Sequence, residues 1–442
     1  MLATIIALLA LAALGAVADA AGSTQGTVRL ERGRFEKAIQ YQVILRHLLY
    51  LPPEYGEKEA RWPMIVYLHG GAGRGSDFDK MPWYPLSRLL RESGSNLPFV
   101  VLMPQRPEDD IWDVAAPTPP ADVSAPPAAA MKAAADYSKA QNGQTCVVMF
   151  DGKVVFERYD NGGAADKAQM LASGSKSFVG LAAVAAVQDK VLNLDDPASD
   201  GITEWKNDPD KAKITYRQLL TMTSGLTPGE WGNAVKAPAW KEIAGKPLSG
   251  KPGAQFAYGA YHLNAFAYAL ERKLGTETFE AYLKRRILDP IGIRVEWRFR
   301  CADNHPQVGG GAFVTAKDWA KYGEFVRLRG TWDGKEVVDA KLLAECFQGT
   351  PQNPAYGLTW WLKKEVTAEQ LKRIPILARE WGDVANADWL PADLVAACGA
   401  GKQRLYVIPS LKLVIVRQGG LSRGFSDLEF LSLLLRGKSA SK

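Results

Sequence analysis

Cysteine and histidine are scarce in this chain of 442 residues, which has four of each. No two cysteines have the spacing of a zinc-ligand pair and the histidines are scattered, so the sequence predicts neither a metal site nor any cofactor. The even cysteine number permits two disulfides in an exported chain, but it is too small for a disulfide scaffold. A basic block is also absent, because the formal net charge of +6 is spread along the chain. This spread argues against nucleic acid as a partner.

Long apolar runs are rare as well, and the one that stands out lies at the start of the chain. It ends in Ala18-Asp-Ala20, a small-x-small sequence typical of a cleavage site. The positively charged start of a signal peptide is missing, since no Lys or Arg precedes the run. The sequence nevertheless predicts a secretory signal peptide over residues 1–20. We therefore expect a periplasmic or secreted protein with no stable membrane span after cleavage.

A proline- and alanine-rich segment divides the chain into two unequal parts. It covers residues 114–128 and includes Pro117-Thr-Pro-Pro120. Proline removes backbone donors and favours extended conformations, so this segment is predicted to be a linker. It would separate a small module over residues 24–113 from a larger domain over residues 129–442.

The small module combines three predicted strands with a glycine-rich turn. The middle strand runs into His69-Gly-Gly-Ala-Gly-Arg-Gly75, and this opening resembles α/β-hydrolase esterases of the depolymerase and feruloyl-esterase type. The resemblance covers about residues 36–113 and ends before that family's nucleophile. The only Gly-x-Ser-x-Gly match, Gly420–Gly424, has no histidine after it. We interpret the module as a truncated hydrolase fold that serves as an appendage. Its predicted strands are Tyr41–Leu51, Met64–Leu68 and Phe99–Met103, with a helix over Pro85–Glu92.

The large domain is predicted to enter a sheet, leave it for a mostly helical region over Phe178–Asp289, and return to strands. An Asp-Gly turn between two β-branched and aromatic runs is typical of a hairpin. The predicted elements are a helix over Ala128–Gln141, a hairpin of Thr145–Phe150 and Val154–Tyr159, a second hairpin of Arg404–Ile408 and Lys412–Arg417, and a helix over Asp427–Arg436.

The most informative motif of the large domain is Ser173-Gly-Ser-Lys176. Residues three apart share a face of a helical turn, so the hydroxyl and the amine can meet. A serine needs a neighbour that takes its proton, and a desolvated lysine can do so. The next residues, Phe178–Val187, have no polar face and predict a buried helix. Ser-x-x-Lys alone is a weak pattern, so other motifs must support it.

Several further motifs occur in one order along the chain, and together they give a specific signal. From about residue 131 to its end the chain resembles the serine β-lactamase and penicillin-binding protein family, in its class C and family VIII esterase branch. The resemblance implies an α/β (α+β) fold with a mixed, largely antiparallel sheet, flanking helices and an all-helical subdomain. The motifs are Ser173–Lys176, Val191–Pro197, Ile214–Leu226, Lys251–Tyr258, Ile287–Gly292 and Tyr356–Leu362.

The resemblance also implies an acyl-enzyme mechanism on a small-molecule ester or amide. Ser173 would attack the carbonyl, and Lys176 and Tyr258 would share the proton transfers. Which of the two is the base in a given step stays open, because such groups titrate together. The backbone N–H groups of Ser173 and Ala400 would form the oxyanion hole, with Gly399 at the substrate-binding strand.

The chain departs from the family pattern in two motifs. It has Tyr258-Gly-Ala260 where the family has Tyr-x-Asn, and Ala397-Cys-Gly399 where the family has Lys or His, any residue, then Gly. Asn264 is a candidate to replace the lost amide. Without the cation that meets a substrate carboxylate, we expect esterase activity to exceed β-lactamase activity. The alternatives are a weak β-lactamase or D-Ala-D-Ala carboxypeptidase, and a non-catalytic penicillin-binding-like protein.

Three further residues near the motifs have two interpretations each. His262 lies one turn after Tyr258 and is predicted to bind substrate, although a satisfied polar residue inside the helical domain is the alternative. Trp360 and Trp361 could line an acyl pocket or pack in the core.

Overall fold

The chain divides into two compact units, residues 1–115 and 116–442, and this boundary lies within the predicted linker. The structure is a computed structural model that describes residues 29–38, 42–52, 55, 63–67, 100–104, 123–229, 237–422 and 424–440. Within these ranges, no helix is long and apolar enough to cross a bilayer. The predicted signal peptide, the turn His69–Gly75 and the helix Pro85–Glu92 lie outside the described residues.

The described part of the first unit is a four-stranded mixed sheet with the order β1-β2-β4-β3. Strand β2 pairs antiparallel with both β1 and β4, whereas β3 and β4 are parallel. Leu49, Leu51 and Val100 form a small apolar cluster in this unit. The three predicted strands are present, and β1 is an additional one. The strands are β1 (Arg29–Ala38), β2 (Gln42–Leu51), β3 (Met64–Val66) and β4 (Val100–Pro104).

The second unit contains a six-stranded antiparallel sheet with the order β12-β13-β14-β15-β5-β6, a three-stranded sheet β7-β9-β8 and a hairpin β10-β11. Both predicted hairpins belong to the large sheet, and β15 pairs with β5. The strands are β5 (Gly143–Phe150), β6 (Lys153–Tyr159), β7 (Gln169–Met170), β8 (Glu296–Trp297), β9 (Ala312–Val314), β10 (Thr331–Trp332), β11 (Lys335–Glu336), β12 (Trp361–Leu362), β13 (Val395–Gly399), β14 (Gln403–Ile408) and β15 (Leu413–Gly419).

Helices pack around this sheet and form a helical region between β7 and β8. The helices are α1 (Ala128–Ala140), α2 (Lys176–Gln188), α3 (Tyr216–Leu220), α4 (Trp240–Gly245), α5 (Tyr261–Leu274), α6 (Phe279–Leu283), α7 (Ala316–Arg327), α8 (Ala340–Ala344), α9 (Ala368–Arg373), α10 (Pro375–Glu380), α11 (Gly382–Asn386) and α12 (Asp427–Arg436). Six 3₁₀ turns cover Ala172–Ser175, Ala198–Asp200, Thr203–Asn207, Lys211–Lys213, Glu345–Phe347 and Pro409–Leu411, and a π turn covers Lys284–Leu288.

The central helix α2 is the apolar helix that the sequence predicts. Every residue from Lys176 to Ala186 is buried, so the helix meets protein on all sides. On the sheet, α7 approaches β14 and β15 so closely that a Cβ at Gly323 would lie 2.5 Å from Val414 Cγ1. The predicted mixed fold, with a largely antiparallel sheet, flanking helices and a helical subdomain, is confirmed. All four cysteines are buried and free, so the two disulfides that their number permits do not form.

Candidate active site

Ser173 lies on a tight turn that connects β7 to α2. The turn covers Ala172–Ser175, and Ala172 has a left-handed backbone conformation with φ of 47°. A non-glycine residue adopts this conformation only where its surroundings hold it there. Ser175 helps to stabilise this conformation, since its hydroxyl donates to Ala172 O at 2.7 Å and accepts from Ala312 N at 3.1 Å. The Ser173 side chain is half-buried at the apex of the turn.

Lys176 is the first residue of α2 and faces the serine. Its Nζ lies 2.9 Å from Ser173 Oγ and 2.5 Å from Gly309 O. The side chain is only 3% exposed, and burial lowers the pKa of Lys176 to about 7. A neutral amine has one lone pair and two N–H groups. Lys176 can therefore accept the proton of Ser173 while it donates to Gly309.

Tyr258 completes a cluster of three polar groups. Its hydroxyl is hydrogen-bonded to Ser173, and its ring centroid lies 5.0 Å from Lys176 Nζ. Burial raises the pKa of Tyr258 well above its usual value, although the bond to Ser173 acts in the opposite direction. Its hydroxyl therefore carries its proton at neutral pH. Trp361 and Tyr356 hold the ring in place, with centroids 5.7 and 5.8 Å away.

The end of β13 lies directly against the turn of Ser173. A Cβ added to Gly399 would lie 2.0 Å from Leu171 O and 3.0 Å from Gly174 N. Only glycine permits this approach, because any side chain would push the strand away from the turn. Ala400 follows, is exposed and faces the same cavity. The sequence motif has glycine at this position, and this close approach explains why no side chain fits there.

The cavity brings together all but one of the predicted site residues. It has a volume of about 430 Å³ and is lined by Ser173, Lys176, Tyr258, Gly399 and Ala400, among others. The missing residue is His262, which is fully buried outside the lining. Its Nδ1 lies 2.8 Å from Ser224 Oγ and its Nε2 lies 2.7 Å from Ala257 O. Burial lowers the pKa of His262 to about 4, so the ring is neutral.

The substrate-binding role predicted for His262 is therefore replaced by a structural one. The ring ties α5 to the backbone next to Tyr258, which is the alternative that the sequence left open. The two interpretations of the tryptophan pair apply to one residue each. Trp361 lines the cavity, whereas Trp360 is fully buried in the core.

The two altered motifs have different positions relative to the cavity. Ala260 lines it, and so does Asn264, which is 1% exposed and has no hydrogen-bond partner for Oδ1 among the described residues. Ala397 is 1% exposed and is not part of the lining, where Cys398 takes its place. Burial raises the pKa of Cys398 to about 12, so this thiol is uncharged.

Sequence reasoning missed several residues of the cavity wall. No motif marks them, because they come from separate loops and helices that only the fold assembles. Two of them are cations, Lys246 and Arg379, and one is an acid, Glu380. The other missed residues are Pro228, Gly229, Ala237, Pro238, Tyr261, Gln307, Gly309, Gly310 and Ile376.

Comparison with known proteins gives the family of the second unit. A β-lactamase family model matches residues 128–417, which is more than half of the chain. A β-lactamase from Yersinia enterocolitica is 29% identical over 168 residues, and these cover 34% of this chain and only 41% of that relative.

Solved structures agree on the fold. A penicillin-binding protein homologue from Caulobacter crescentus has a TM-score of 0.52 at 13% identity, covering 68% of this chain and 93% of that one. A family VIII carboxylesterase has a TM-score of 0.54 at 14% identity, covering 70% and 97%. The turn of Ser173, the buried Lys176 and the strand at Gly399 thus lie on a shared fold, and this chain belongs to the β-lactamase family.

Proposed function

We propose that this protein is a serine hydrolase that cleaves small-molecule esters or amides through an acyl-enzyme intermediate. One observation supports the proposal most directly. A half-buried serine hydroxyl lies 2.9 Å from a fully buried lysine amine, whose pKa burial lowers to about 7. Lys176 forms no ion pair with the described residues, and a buried lysine without an ion pair destabilises the fold, so a structural role does not explain the pair. A lysine tuned near neutrality is suited to general base catalysis.

The proposed reaction begins with attack of Ser173 Oγ on the substrate carbonyl while Lys176 Nζ accepts the proton. The N–H groups of Ser173 and Ala400 would bind the oxyanion of the tetrahedral intermediate. The intermediate would then collapse to the acyl-enzyme and release the alcohol or amine, which takes a proton from Lys176 directly or through Tyr258. Water would attack the ester of Ser173 in a second round of the same steps, with the lysine–tyrosine pair again accepting the proton.

A preference for esters over β-lactams is the finer part of the proposal. The motif position that carries a cation in the family is Ala397, which is buried outside the cavity lining. Ala260 likewise offers no amide to a substrate side chain. The second candidate function, hydrolysis of carboxylate-bearing substrates such as β-lactams, is favoured by Lys246 and Arg379 on the cavity wall.

A substrate panel combined with active-site labelling tests the proposal. We expect short p-nitrophenyl esters to be hydrolysed with a higher kcat/KM than nitrocefin, and a fluorophosphonate to label Ser173 in mass spectrometry. A preference for nitrocefin would support the second candidate function. Absence of both turnover and label would contradict the proposal and favour the non-catalytic alternative.

The pH dependence of ester hydrolysis is expected to report Lys176. Below its pKa of about 7 the amine carries a proton and cannot accept another, so kcat/KM should fall about tenfold per pH unit on the acid side. Above this pKa the amine is neutral and kcat/KM should reach a plateau. The measurement is kcat/KM from about pH 5 to about pH 9, with thermal unfolding recorded at each pH.

Lys176→Arg provides the control for the pH profile. Arginine keeps its proton in proteins, so this variant should be inactive at every pH. A wild-type profile that is flat across the range would contradict Lys176 as the base.

A further inference from the structure

A buried guanidinium lies next to the candidate oxyanion hole. Arg404 on β14 is fully buried, and each of its five N–H groups has an acceptor. Its Nε and Nη2 form a two-pronged bond with the carboxylate of Asp427. The contacts are Asp427 Oδ1 at 2.6 Å, Asp427 Oδ2 at 3.2 Å, Glu380 Oε2 at 3.1 Å, Gln403 O at 3.1 Å and Gly399 O at 3.2 Å.

The bond to Gly399 O matters because of the peptide group to which this oxygen belongs. The carbonyl of Gly399 and the N–H of Ala400 are the two ends of one peptide unit, and the described chain has no cis peptide bonds. In a planar trans peptide the C=O and the N–H point in opposite directions. A donor that fixes the carbonyl on one side therefore fixes the direction of the N–H on the other.

The charge of the donor adds a second effect. Hydrogen bonds from a guanidinium are stronger than neutral ones, and hydrogen bonds in series polarise one another. A carbonyl bonded to Arg404 withdraws electron density from its own amide nitrogen. The N–H of Ala400 thus becomes a better donor to an oxyanion.

We propose that Arg404 is a positioning residue that aims and polarises the Gly399–Ala400 peptide for oxyanion binding. The proposal rests on the proposed function. Arg404 itself is not among the residues that line the cavity. It acts through the peptide that lies between it and the reacting carbonyl.

Two acids hold the guanidinium in this orientation. Asp427 is buried in the first turn of α12 and also accepts from Tyr406 Oη at 2.6 Å. Burial tends to raise the pKa of Asp427, but the charge and hydrogen bonds of Arg404 outweigh burial and lower it. Glu380 reaches Arg404 from the cavity wall and also pairs with Lys402 at 3.1 Å. The bidentate hydrogen bond to Asp427 and the bond to Glu380 fix the orientation of the Arg404 guanidinium. In this orientation Nη1 donates to Gly399 O.

Arg404→Lys tests the proposal, because lysine keeps the buried positive charge but lacks the planar guanidinium with its five N–H donors. The measurement is the ratio of kcat/KM for an ester to that for its thionoester, in which sulfur replaces the carbonyl oxygen. Sulfur is a weak hydrogen-bond acceptor, so an intact oxyanion hole favours the oxygen ester. We expect the ratio to fall roughly tenfold in the variant, less than the roughly 10²–10³ lost with a whole donor.

The ratio of the two kcat/KM values distinguishes a loss of oxyanion binding from a loss of protein stability. Partial unfolding reduces the active fraction for both substrates equally and leaves the ratio unchanged. Arg417→Lys is the matched control, because Arg417 is also fully buried and lies opposite Arg404 in the register of β14 and β15. This variant should keep the wild-type ratio. Its guanidinium bonds to other carbonyls, those of Gly401, Lys402 and Gln141.

An unchanged ratio in a folded Arg404→Lys protein would overturn the proposal. If that variant does not fold, Asp427→Asn and Glu380→Gln loosen the guanidinium without removing it. Each should then lower the ratio, and an unchanged ratio in both would also overturn the proposal. Failure of the proposed function is distinguishable, since the wild-type protein would then hydrolyse no ester or would do so without Ser173.

Discussion

Replacing Ser173 by alanine is expected to abolish ester hydrolysis in a protein that remains folded. The change removes the hydroxyl oxygen that would form the proposed acyl-enzyme, and loss of a serine nucleophile costs about 10⁴- to 10⁶-fold in kcat. The stability should change little, because the side chain is half-buried and alanine leaves only a small space. The loss of its hydrogen bond to Lys176 costs about 1 kcal/mol of the free energy of unfolding.

The measurement combines ester hydrolysis, fluorophosphonate labelling and thermal unfolding of the variant. Ser177→Ala is a matched control, since it removes a hydroxyl four residues further along, one that donates to Gly174 O at 2.8 Å. That variant should lose about 1 kcal/mol of stability and keep most of its activity. Near wild-type hydrolysis by Ser173→Ala would mean that the nucleophile lies elsewhere, and the interpretation of the small module as an appendage would have to be reconsidered.

Replacing Gly399 by alanine is expected to have the second largest effect on activity. The new Cβ would lie 2.0 Å from Leu171 O and 3.0 Å from Gly174 N, so the end of β13 must move away from the turn of Ser173. The two proposed oxyanion donors, the N–H groups of Ser173 and Ala400, belong to residues next to this contact, and loss of one such donor costs roughly 10²–10³ in kcat. The strain should also reduce stability by about 1–3 kcal/mol.

The test of Gly399→Ala compares kcat/KM per labelled active site, so that unfolded protein does not count. Gly245→Ala is its control, because a Cβ at that helical position meets no atom within 4 Å. We expect this control to behave like the wild-type protein. If Gly399→Ala also keeps wild-type kcat/KM, the end of β13 can shift freely and Ala400 is not an oxyanion donor.

The sequence predicts those parts of the site that follow from local geometry. Ser173 and Lys176 are three residues apart across one turn, so their contact depends on a single local conformation. Their link to Tyr258 and Ala400 came from a family resemblance, because no local rule joins residues so far apart. Arg404 carries no sequence signal, since a single arginine within an apolar strand does not reveal the carbonyl that it will bind.

The errors of interpretation have physical reasons too. His262 lies four residues after Tyr258, a spacing that would give a shared face on one helix, but α5 begins only at Tyr261. The ring of His262 is hydrogen-bonded to Ser224 and Ala257 away from the cavity. Strand β1 was not predicted, because its sequence Arg29–Ala38 is mostly charged and shows no apolar alternation. Its pairing with β2 is a long-range backbone interaction, which composition does not encode.

The pairing of β15 with β5 has a consequence for how this domain folds. Thr145 and Gln418 are hydrogen-bonded across 273 residues of sequence, and β15 lies between β14 and β5 in the sheet. A contact of this range requires closure of a very long loop, which slows folding. During synthesis, β5 is made long before β15, so one edge of β5 has no strand partner until β15 follows. The domain can therefore complete its six-stranded sheet only after β15, Leu413–Gly419, has been made.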